Sequence, residues 1–343
     1  MNSFTCISRI GEGAHGVVLK AKDINTEKTI ALKKIPVRRL NEKFPVNIIR
    51  EIKSLQVLDS HPNVLKMLDN FVFGSGFVLV LEYMPSDLSK IIRNESFHMD
   101  EGDVKAYMIM ILKGLVYLHS NNIMHRDLKP SNILISEEGI LKIGDFGLAR
   151  IFDESSSGQY SHQVATRWYR APELLYGSRN YDESVDIWAV GCIFGELMNR
   201  FPIFPGENDI EQLWLVIKFL GTPNETNWPG IKTLPDYYKI NFAICPPVPF
   251  QKLFADSDEI AVDLIKHFLR YSGTSRITAM NALLHPYFVT GTLPKTRDIL
   301  QKPPKNKLID YGLFPDEKLN TNNLIFHLDR TVNKIKDKYF VAS

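Results

Sequence analysis

The sequence has few of the features that define several common protein classes. It contains only three cysteines, Cys6, Cys192 and Cys245, and they are far apart. This number and spacing fit neither a disulfide framework nor a zinc site, which favours a reducing, intracellular setting. The formal net charge of the 343 residues is only +2, which is too small to indicate a nucleic-acid-binding surface. We therefore expect no nucleic-acid partner.

Long apolar runs and repeats are also missing. No apolar segment approaches the roughly 20 residues that span a bilayer, and the N-terminal MNSFTCISRIGEG has no secretory signal. We expect no membrane association. No repeat occurs at the periods of solenoid proteins. A hydrophobic content of 44% is ordinary for a soluble globular chain.

Periodic patterns divide the chain into a strand-rich part and a helix-rich part. Alternating β-branched residues predict strands at 16–23 and 28–35, and the segment FVFGSGFVLVLEYM predicts a hairpin. One helical face is predicted in NIIREIKSLQVL. From about residue 100 the segments are helix-like, as in DVKAYMIMILKGLVYLHS and DIWAVGCIFGELMN. The predicted class is therefore α+β, with a small β-rich lobe before a larger helical lobe.

The segment EYMPSD (82–87) is predicted to be a short connection between the lobes. The predicted domains are an N-lobe at 1–81 with this hinge, a C-lobe at 88–288, and a C-terminal tail at 289–343. The tail is rich in Pro, Lys and Asn, and we expect it to wrap the surface or to be partly disordered.

A glycine-rich motif, GEGAHG, has the spacing G-x-G-x-x-G at Gly11, Gly13 and Gly16. By itself this spacing also fits an ordinary tight turn. A strand, VVLKA, follows the glycines, whereas a dinucleotide-binding fold requires a helix there. The pattern therefore favours a hairpin whose backbone N–H groups approach the phosphates of a nucleotide.

Lys33 and Ala31 are two residues apart in a predicted strand and so share one face. A small residue admits a flat base, and the lysine beyond it reaches phosphate oxygens. Glu51 in the following helix is a candidate partner that holds the lysine extended. An isolated lysine of this kind would simply be solvated at the surface.

Two neighbouring motifs, HRDLKPSN and IGDFGLAR, concentrate polar groups suited to phosphoryl transfer. Asn132 and Asp145 supply amide and carboxylate oxygens for a divalent cation. Asp127 is a carboxylate that can receive the proton of the nucleophile. Lys129 can neutralise the charge of the moving phosphoryl group.

Together these motifs resemble those of eukaryotic protein kinases over residues 4 to about 288, including APE at 171–173 and DIWAVGC. WYRAPELL, LKKI and the insert GTPNETNWPGIKTLPDYYKINF resemble the cyclin-dependent and mitogen-activated kinases. RIGEGAHG and VATRWYRAPELLYG are similar to the cell cycle-related kinases, a divergent branch of that group. The resemblance implies the bilobal protein kinase fold, ATP and Mg²⁺ as cofactors, and serine or threonine in a protein as substrate.

The resemblance also assigns individual positions. It implies catalytic roles for Asp127, Lys129, Lys33 and Glu51, and metal ligands at Asn132 and Asp145. The ATP-binding positions include the three glycines Gly11, Gly13 and Gly16. Glu82 and Met84 would offer backbone groups of the connection, Leu81 would be the gatekeeper and Asp87 would contact the ribose. The apolar residues around adenine would be Ile10, Val18, Ala31 and Leu134. Structural roles are implied for His125, for a buried Glu173–Arg276 pair and for Asp186, which would brace the catalytic loop.

The polar stretch SSSGQYSHQVATRWYRAPE lies between DFG and APE and so resembles an activation segment. The family position of its regulatory phosphate falls on Ser161, where many relatives have threonine. Three cations, Arg50, Arg126 and Arg150, would bind that phosphate and order the segment. Arg170 resembles the arginine linked to a pocket for proline after the target residue.

The resemblance implies protein substrates, which could include another kinase, and an upstream activating kinase for Ser161. Ala14 and His15 replace the inhibitory Thr-Tyr pair of cyclin-dependent kinases, and FPVNIIREI replaces the PSTAIRE type of helix. Dependence on a cyclin-like activator is therefore left open. The expected location is the cytoplasm and nucleus, with the cilium or its base as a further site. Two alternatives are a pseudokinase scaffold, although Lys33, Asp127 and Asp145 are all present, and a small-molecule kinase.

Overall fold

A computed structural model describes residues 4–13, 16–36, 46–58, 60–73, 76–152, 160–161, 166–296 and 300, with the backbone alone at 12–13 and 46–50. Contacts divide the chain into two compact units. Among the described residues, the first unit comprises 4–60 and 65–85, and the second comprises 61–64 and the residues from 86 onward. The predicted boundaries at 81, 87 and 288 stay predictions, and the tail beyond 300 lies outside the described residues.

The first unit is an antiparallel sheet with one helix. Its strands have the spatial order β1-β2-β3-β5-β4, and a helix, α1 (Val46–Val57), follows β3. The strands are β1 (Phe4–Gly13), β2 (Gly16–Asp23), β3 (Thr29–Pro36), β4 (Met67–Phe73) and β5 (Gly76–Glu82). The alternating apolar residues predicted from the sequence form its core, with Leu32 and Val78 among the most buried.

The second unit is mainly helical. Its helices are α2 (Leu88–Arg93), α3 (Glu101–Ser120), α4 (Pro172–Leu175), α5 (Ser184–Asn199), α6 (Asp209–Leu220), α7 (Phe250–Leu253), α8 (Glu259–Phe268) and α9 (Ala279–Leu283). Short strands that precede α4 form small antiparallel sheets, namely β6 (Ser86–Asp87), directly before α2, and β7 (Ile123–Met124), β8 (Ile133–Ile135), β9 (Leu141–Ile143) and β10 (Arg150–Ile151). The predicted α+β class is confirmed.

Two long helices, α3 and α5, carry much of the core of the second unit. Tyr107 and Leu115 of α3 and Trp188 and Phe194 of α5 are completely buried. Asp100 begins α3 with a capping box, because its side chain accepts the N–H of Asp103 and the Asp103 side chain accepts the N–H of Asp100. No helix in the described part of the chain combines the length and the apolar character that a bilayer span requires.

The predicted connection at 82–87 is shorter in the structure. Glu82 ends β5, and Ser86–Asp87 form the two-residue strand β6, which pairs with β8. Only residues 83–85 are irregular. The sequence could not indicate this strand, because its partner lies nearly fifty residues away and two residues have no recognisable period.

Candidate functional site

The glycine-rich motif forms the hairpin between β1 and β2. Gly13 pairs with Gly16, and Gly11 pairs with Val18. Gly16 has a φ of +126°, and a Cβ there would lie 2.0 Å from the carbonyl oxygen of Lys34. Glycine is required at Gly16 because any side chain would collide with the backbone of β3. The prediction of a hairpin rather than a turn into a helix is confirmed.

Lys33 and Glu51 form a buried ion pair within the first unit. Lys33 lies on β3, two residues beyond Ala31, and Glu51 lies on α1. The distance between Lys33 Nζ and Glu51 Oε1 is 2.7 Å, and the two side chains are 10% and 4% exposed. At this burial each charge needs the other. The pair predicted from the sequence is present and holds the lysine amine in a defined position.

The first unit also contains most of the residues predicted to contact the base. Leu81 is buried and pairs with Ala31 across β5 and β3. The N–H of Glu82 donates to the carbonyl oxygen of Lys66 at 3.2 Å, so a base can use only the carbonyl oxygen of Glu82. Ile10 on β1 is 40% exposed, and Met84 lies in the irregular residues 83–85.

In the second unit, Asp87 and Leu134 are neighbours because β6 pairs with β8. Asp87 begins α2, and its carboxylate accepts the N–H of Lys90 at 3.2 Å and the hydroxyl of Ser89. The Lys90 amine lies 3.3 Å from the same carboxylate. A ribose hydroxyl at Asp87 would therefore share this carboxylate with the cap of α2.

The catalytic loop is held by a carboxylate from α5. Asp186 Oδ2 accepts the backbone N–H of His125 at 2.8 Å, and Oδ1 accepts the N–H of Arg126 at 2.8 Å. His119 Nε2 lies 3.1 Å from Oδ2. Although burial alone would raise the pKa of Asp186, the hydrogen bond and charge of His119 and the other donors hold it below its usual value. The bracing role predicted for Asp186 is present.

His125 and the Glu173–Arg276 pair also have the structural roles predicted for them. His125 is completely buried, with Nε2 2.9 Å from the Gly144 carbonyl oxygen and Nδ1 accepting the N–H of Asp127 at 3.3 Å. Both ring nitrogens are thus occupied by the backbone. Arg276 donates two 2.7 Å hydrogen bonds to the two carboxylate oxygens of Glu173, in the buried bidentate geometry typical of strong ion pairs.

Asp127 lies at the centre of a network of donors. Lys129 Nζ is 2.9 Å from Asp127 Oδ2, and Asn132 Nδ2 is 3.0 Å from the same oxygen. Thr166 donates its N–H to Oδ1 at 2.8 Å and its hydroxyl to Oδ1 at 3.1 Å. The Lys129 amine also reaches the Thr166 hydroxyl at 2.8 Å. The structure thus brings together three of the predicted residues and orients the carboxylate.

Thr166 is a functional residue that sequence reasoning missed. It lies 39 residues from Asp127 along the chain, and nothing in the spacing of VATRWYR distinguishes its hydroxyl from those of the nearby serines. The sequence feature that could have indicated Thr166 is its position directly before the aromatic, Arg-rich end of the activation segment.

Asn132 and Asp145 have the chemistry of cation ligands. The Asn132 amide nitrogen donates to the Asp127 carbonyl oxygen at 2.8 Å as well as to the carboxylate. Its amide oxygen is therefore the atom that can ligate a cation. Asp145 has a left-handed backbone, with φ of 60°, and the N–H of the preceding Gly144 donates to the Asn132 carbonyl oxygen at 2.9 Å. The donor set of carboxylate and amide oxygens fits a hard cation such as Mg²⁺.

Two of the three arginines predicted to bind the phosphate contact tyrosines next to Ser161. Arg126 Nη1 donates to the Tyr181 hydroxyl at 2.9 Å, and that hydroxyl donates to the Ser161 carbonyl oxygen at 2.6 Å. The Arg150 guanidinium lies 4.5 Å from the centre of the Tyr160 ring. Ser161 itself is exposed. The side chain of Arg50 lies outside the described residues.

Arg170 is bound to an acidic residue at the start of α6. Its Nη1 is 3.0 Å from Asp209 Oδ1, and Arg167 Nε donates to the same oxygen at 2.9 Å. The Arg170 side chain is only 12% exposed. The position of the Arg170 side chain is therefore fixed by its ion pair with α6 as well as by the backbone of the activation segment.

A second group of side chains with metal-ligating chemistry lies elsewhere in the second unit. Asp263, His267 and His285 bring their ligand atoms within 4.8 Å of one another. His285 Nδ1, however, accepts the N–H of Tyr287 at 3.2 Å, and Nε2 is 3.1 Å from Asp263 Oδ2. Nε2 therefore ties His285 to α8, and Nδ1 caps the turn at 286–288, which are structural roles.

Comparison with known proteins places the chain in a family. The model of the protein kinase domain matches residues 4–288. The chain therefore belongs to the protein kinase family, and the bilobal protein kinase fold and the implied use of ATP are confirmed. Cyclin-dependent kinase 20 of Danio rerio is 56% identical over 305 residues, covering 89% of each chain. The human cyclin-dependent kinase 20 is 52% identical over 294 residues, covering 86% of this chain and 85% of the relative.

Solved structures agree with this placement. A chain from the CAK complex of Chaetomium thermophilum bound to ATP-γ-S has a TM-score of 0.81 at 36% identity, covering 88% of this chain and 95% of that one. A chain of the yeast RNA polymerase II CTD kinase complex CTDK-1 has a TM-score of 0.79 at 37% identity, covering 86% and 96%. The protein is a serine/threonine kinase of the cyclin-dependent type, and the resemblance to cell cycle-related kinases is confirmed.

Proposed function

We propose that this protein is a proline-directed serine/threonine kinase that requires Mg²⁺, is activated by phosphorylation of Ser161 and accepts other kinases among its substrates. The observation that carries the catalytic part is the arrangement around Asp127. Four donor groups, from Lys129, Asn132 and Thr166, bind its two carboxylate oxygens. Such a carboxylate is preorganised to receive a proton from a hydroxyl at a defined place.

The reaction follows from these groups. The oxygen of a substrate serine or threonine attacks the γ-phosphorus of ATP, the bond from that phosphorus to the bridging oxygen breaks, and ADP leaves. Asp127 accepts the proton of the attacking hydroxyl. Lys129, 2.9 Å from Asp127, neutralises charge on the transferred group. Lys33, held by Glu51 at 2.7 Å, contacts the other phosphates.

Asn132 and Asp145 would hold Mg²⁺ on the nucleotide. The fit rests on the orientation of the Asn132 amide, whose nitrogen donates toward Asp127. Bound there, Mg²⁺ would neutralise the negative charge of the phosphates. The resemblance supports nucleotide-binding roles for the glycine hairpin and for Ile10, Val18 and Ala31 in the first unit, and for Leu134 in the second.

The Ser161 switch is supported by the charge around that residue. A phosphate adds about −1.5 to −2 charge and three acceptor oxygens, and Arg126 is one tyrosine hydroxyl away from the Ser161 backbone. The modification would come from an upstream kinase or from the enzyme itself. The likeness of Arg170 to the family arginine linked to a proline pocket supports the preference for proline after the target residue.

The setting of the protein is also proposed. The resemblance to cell cycle-related kinases supports a location in the cytoplasm and nucleus, including the cilium or its base, and a role in cell-cycle or cilium control. The solved neighbours are subunits of kinase complexes, which supports a protein activator, and the altered helix FPVNIIREI leaves open whether that activator is a cyclin.

The test is transfer of phosphate from ATP to paired peptides that differ only in having Pro or Ala after the serine. The purified chain is assayed with and without phosphoserine at position 161, and the Asp145→Asn variant serves as the blank. We expect metal-dependent transfer above the blank, a preference for the Pro peptide, and a rise with phosphoserine. Equal rates on both peptides would contradict proline direction, and equal rates for both forms would contradict the switch.

A further inference from the structure

Two tyrosines contact two of the arginines that were predicted to bind the Ser161 phosphate. The Tyr181 hydroxyl accepts a hydrogen bond from Arg126 Nη1 at 2.9 Å and donates one to the Ser161 carbonyl oxygen at 2.6 Å. The Tyr160 ring lies under the Arg150 guanidinium, 4.5 Å away. Each of the two described arginines that the phosphate would engage therefore already has a tyrosine neighbour.

Tyr160 and Tyr181 also contact each other. Their ring centres are 5.2 Å apart, and the N–H of Tyr160 donates to the Arg179 carbonyl oxygen at 2.7 Å. Tyr160 is only 7% exposed, although its neighbour Ser161 is exposed. Among the described residues, the backbone at 160–161 is thus attached to the residues that precede α5 through the Tyr160 N–H, the Ser161 carbonyl oxygen and the two tyrosine rings.

Arg126 connects this attachment to catalysis. Its N–H is bound by Asp186 at 2.8 Å, and its Nε donates to the Leu148 carbonyl oxygen at 2.8 Å. Arg126 has a left-handed backbone, with φ of 65°, and directly precedes Asp127. A displacement of its guanidinium therefore acts on the backbone that sets the position of the catalytic carboxylate.

We propose that Tyr181 is a positioning residue that joins Arg126 to the Ser161 backbone before phosphorylation and so supports the activity of the unphosphorylated kinase. The phosphate would take over this task, because its three acceptor oxygens can bind the arginines directly. The inference rests on the proposed switch at Ser161, and it explains how the backbone at 160–161 is held when no phosphate is present.

The test compares Tyr181→Phe with wild type in two forms of the full chain, one unphosphorylated and one with phosphoserine installed at position 161. The Phe variant removes one hydroxyl and keeps the ring that packs against Tyr160. Tyr238→Phe is the matched control, because Tyr238 is 79% exposed and lies in the insert. Values of kcat, KM for ATP and KM for peptide, together with the melting temperature, are measured for each protein.

We expect Tyr181→Phe to lower kcat about tenfold in the unphosphorylated form, because a hydrogen bond to a charged group is lost. KM for ATP should change little, and the melting temperature should fall by no more than the few degrees that the loss of one hydrogen bond accounts for. The phosphorylated variant should be within about twofold of wild type, because the phosphate then binds the arginines directly. The control should match wild type in both forms. An unchanged kcat in the unphosphorylated form, or an equal loss in both forms, would overturn the proposal.

The same data separate this inference from the switch itself. If phosphoserine does not raise the activity of wild type, the switch at Ser161 is wrong. In that case the comparison of the two forms no longer applies, and the unphosphorylated form alone decides whether Tyr181 positions Arg126: a lower kcat in a variant that is still folded at the assay temperature supports this role, and no loss of kcat overturns it.

Discussion

The Thr166 hydroxyl contacts two catalytic groups at once. It donates to Asp127 Oδ1 at 3.1 Å and lies 2.8 Å from the Lys129 amine. We expect Thr166→Ala to lower kcat by about 10- to 100-fold, since one charge-assisted hydrogen bond is worth about 1.5–3 kcal/mol. Steady-state kinetics on a peptide substrate measure the effect.

Thr166→Ser is the matched control for this prediction. Serine keeps the hydroxyl and the backbone N–H, which donates to Asp127 at 2.8 Å, and removes only a methyl group. It should therefore retain most of the wild-type kcat. A Ser variant as slow as the Ala variant would show that the methyl group, rather than the hydrogen bond, is what Thr166 contributes.

Residue identity alone accounts for much of the candidate site. Lys33, Asp127, Lys129, Asn132 and Asp145 could be selected because their order and chemistry match one reaction, and the structure joins three of them in one network. Thr166, Asp209 and Tyr181 could not be selected. Each acts through a partner about 30 to 60 residues away, and a hydroxyl or carboxylate at such a distance leaves no local pattern.

Among the structural elements, the β1–β2 hairpin should be destabilised more by substitution of Gly16 than by substitution of Gly11. Gly16→Ala would combine a φ of +126° with a contact of 2.0 Å to the Lys34 carbonyl oxygen. We expect it to destabilise the protein by about 1–3 kcal/mol or to disrupt the hairpin. Thermal unfolding measures the loss.

Gly11→Ala is the comparison within the same hairpin. Among the described residues, the nearest atom to its Cβ would belong to the Val18 side chain, at 3.7 Å, which is an ordinary contact. Its melting temperature should stay close to that of wild type, whatever happens to nucleotide binding. Equal losses in both variants would mean that the hairpin is not built as the structure shows.

The catalytic loop should show a pH dependence through Asp186. The pKa of Asp186 lies below its ordinary value of 3.8, so its contribution to stability is complete above about that pH and is lost as the pH falls through the folded-state pKa. Asp186→Asn replaces one carboxylate oxygen, which accepts a backbone N–H, by an amide group that is itself a donor. We expect the free energy of unfolding to fall by about 2–4 kcal/mol at neutral pH.

Urea unfolding of wild type and Asp186→Asn between about pH 6 and pH 2.5 checks this prediction, because the free-energy difference should be constant above pH 4 and shrink in more acidic solution. A difference that grows on acidification would contradict the sign of the pKa shift. Asp256→Asn, which changes an exposed carboxylate before α8, serves as the control.

At the scale of the whole molecule, residues that follow 288 contact α3 in the second unit. The amine of Lys105, which is almost completely buried in α3, donates to the carbonyl oxygens of Thr290 and Thr292 at 2.7 and 2.8 Å. Lys295 lies 2.6 Å from Asp100 and 2.8 Å from Asp103. The described part of the predicted tail, at 289–296, is therefore attached to the start of α3.

This attachment predicts different stabilities for two shortened chains. A chain ending at 288 leaves the Lys105 amine without two acceptors, and we expect it to lose about 1–3 kcal/mol relative to a chain ending at 304. Calorimetry of both chains measures the difference. Lys105→Met should recover part of the loss in the shorter chain only, and recovery of the same size in both would argue against this role of the tail.

Apolar periodicity and local motifs act over a few residues, and they were enough to predict the class of the fold, the β1–β2 hairpin, the longer helices and most side chains of the candidate site. The distant groups that complete the site follow from the tertiary structure alone. Asp186 braces the catalytic loop from α5, Thr166 orients Asp127, and Lys105 binds residues beyond the helical core. Buried polar groups need partners wherever the fold supplies them, and that choice is made by packing in three dimensions.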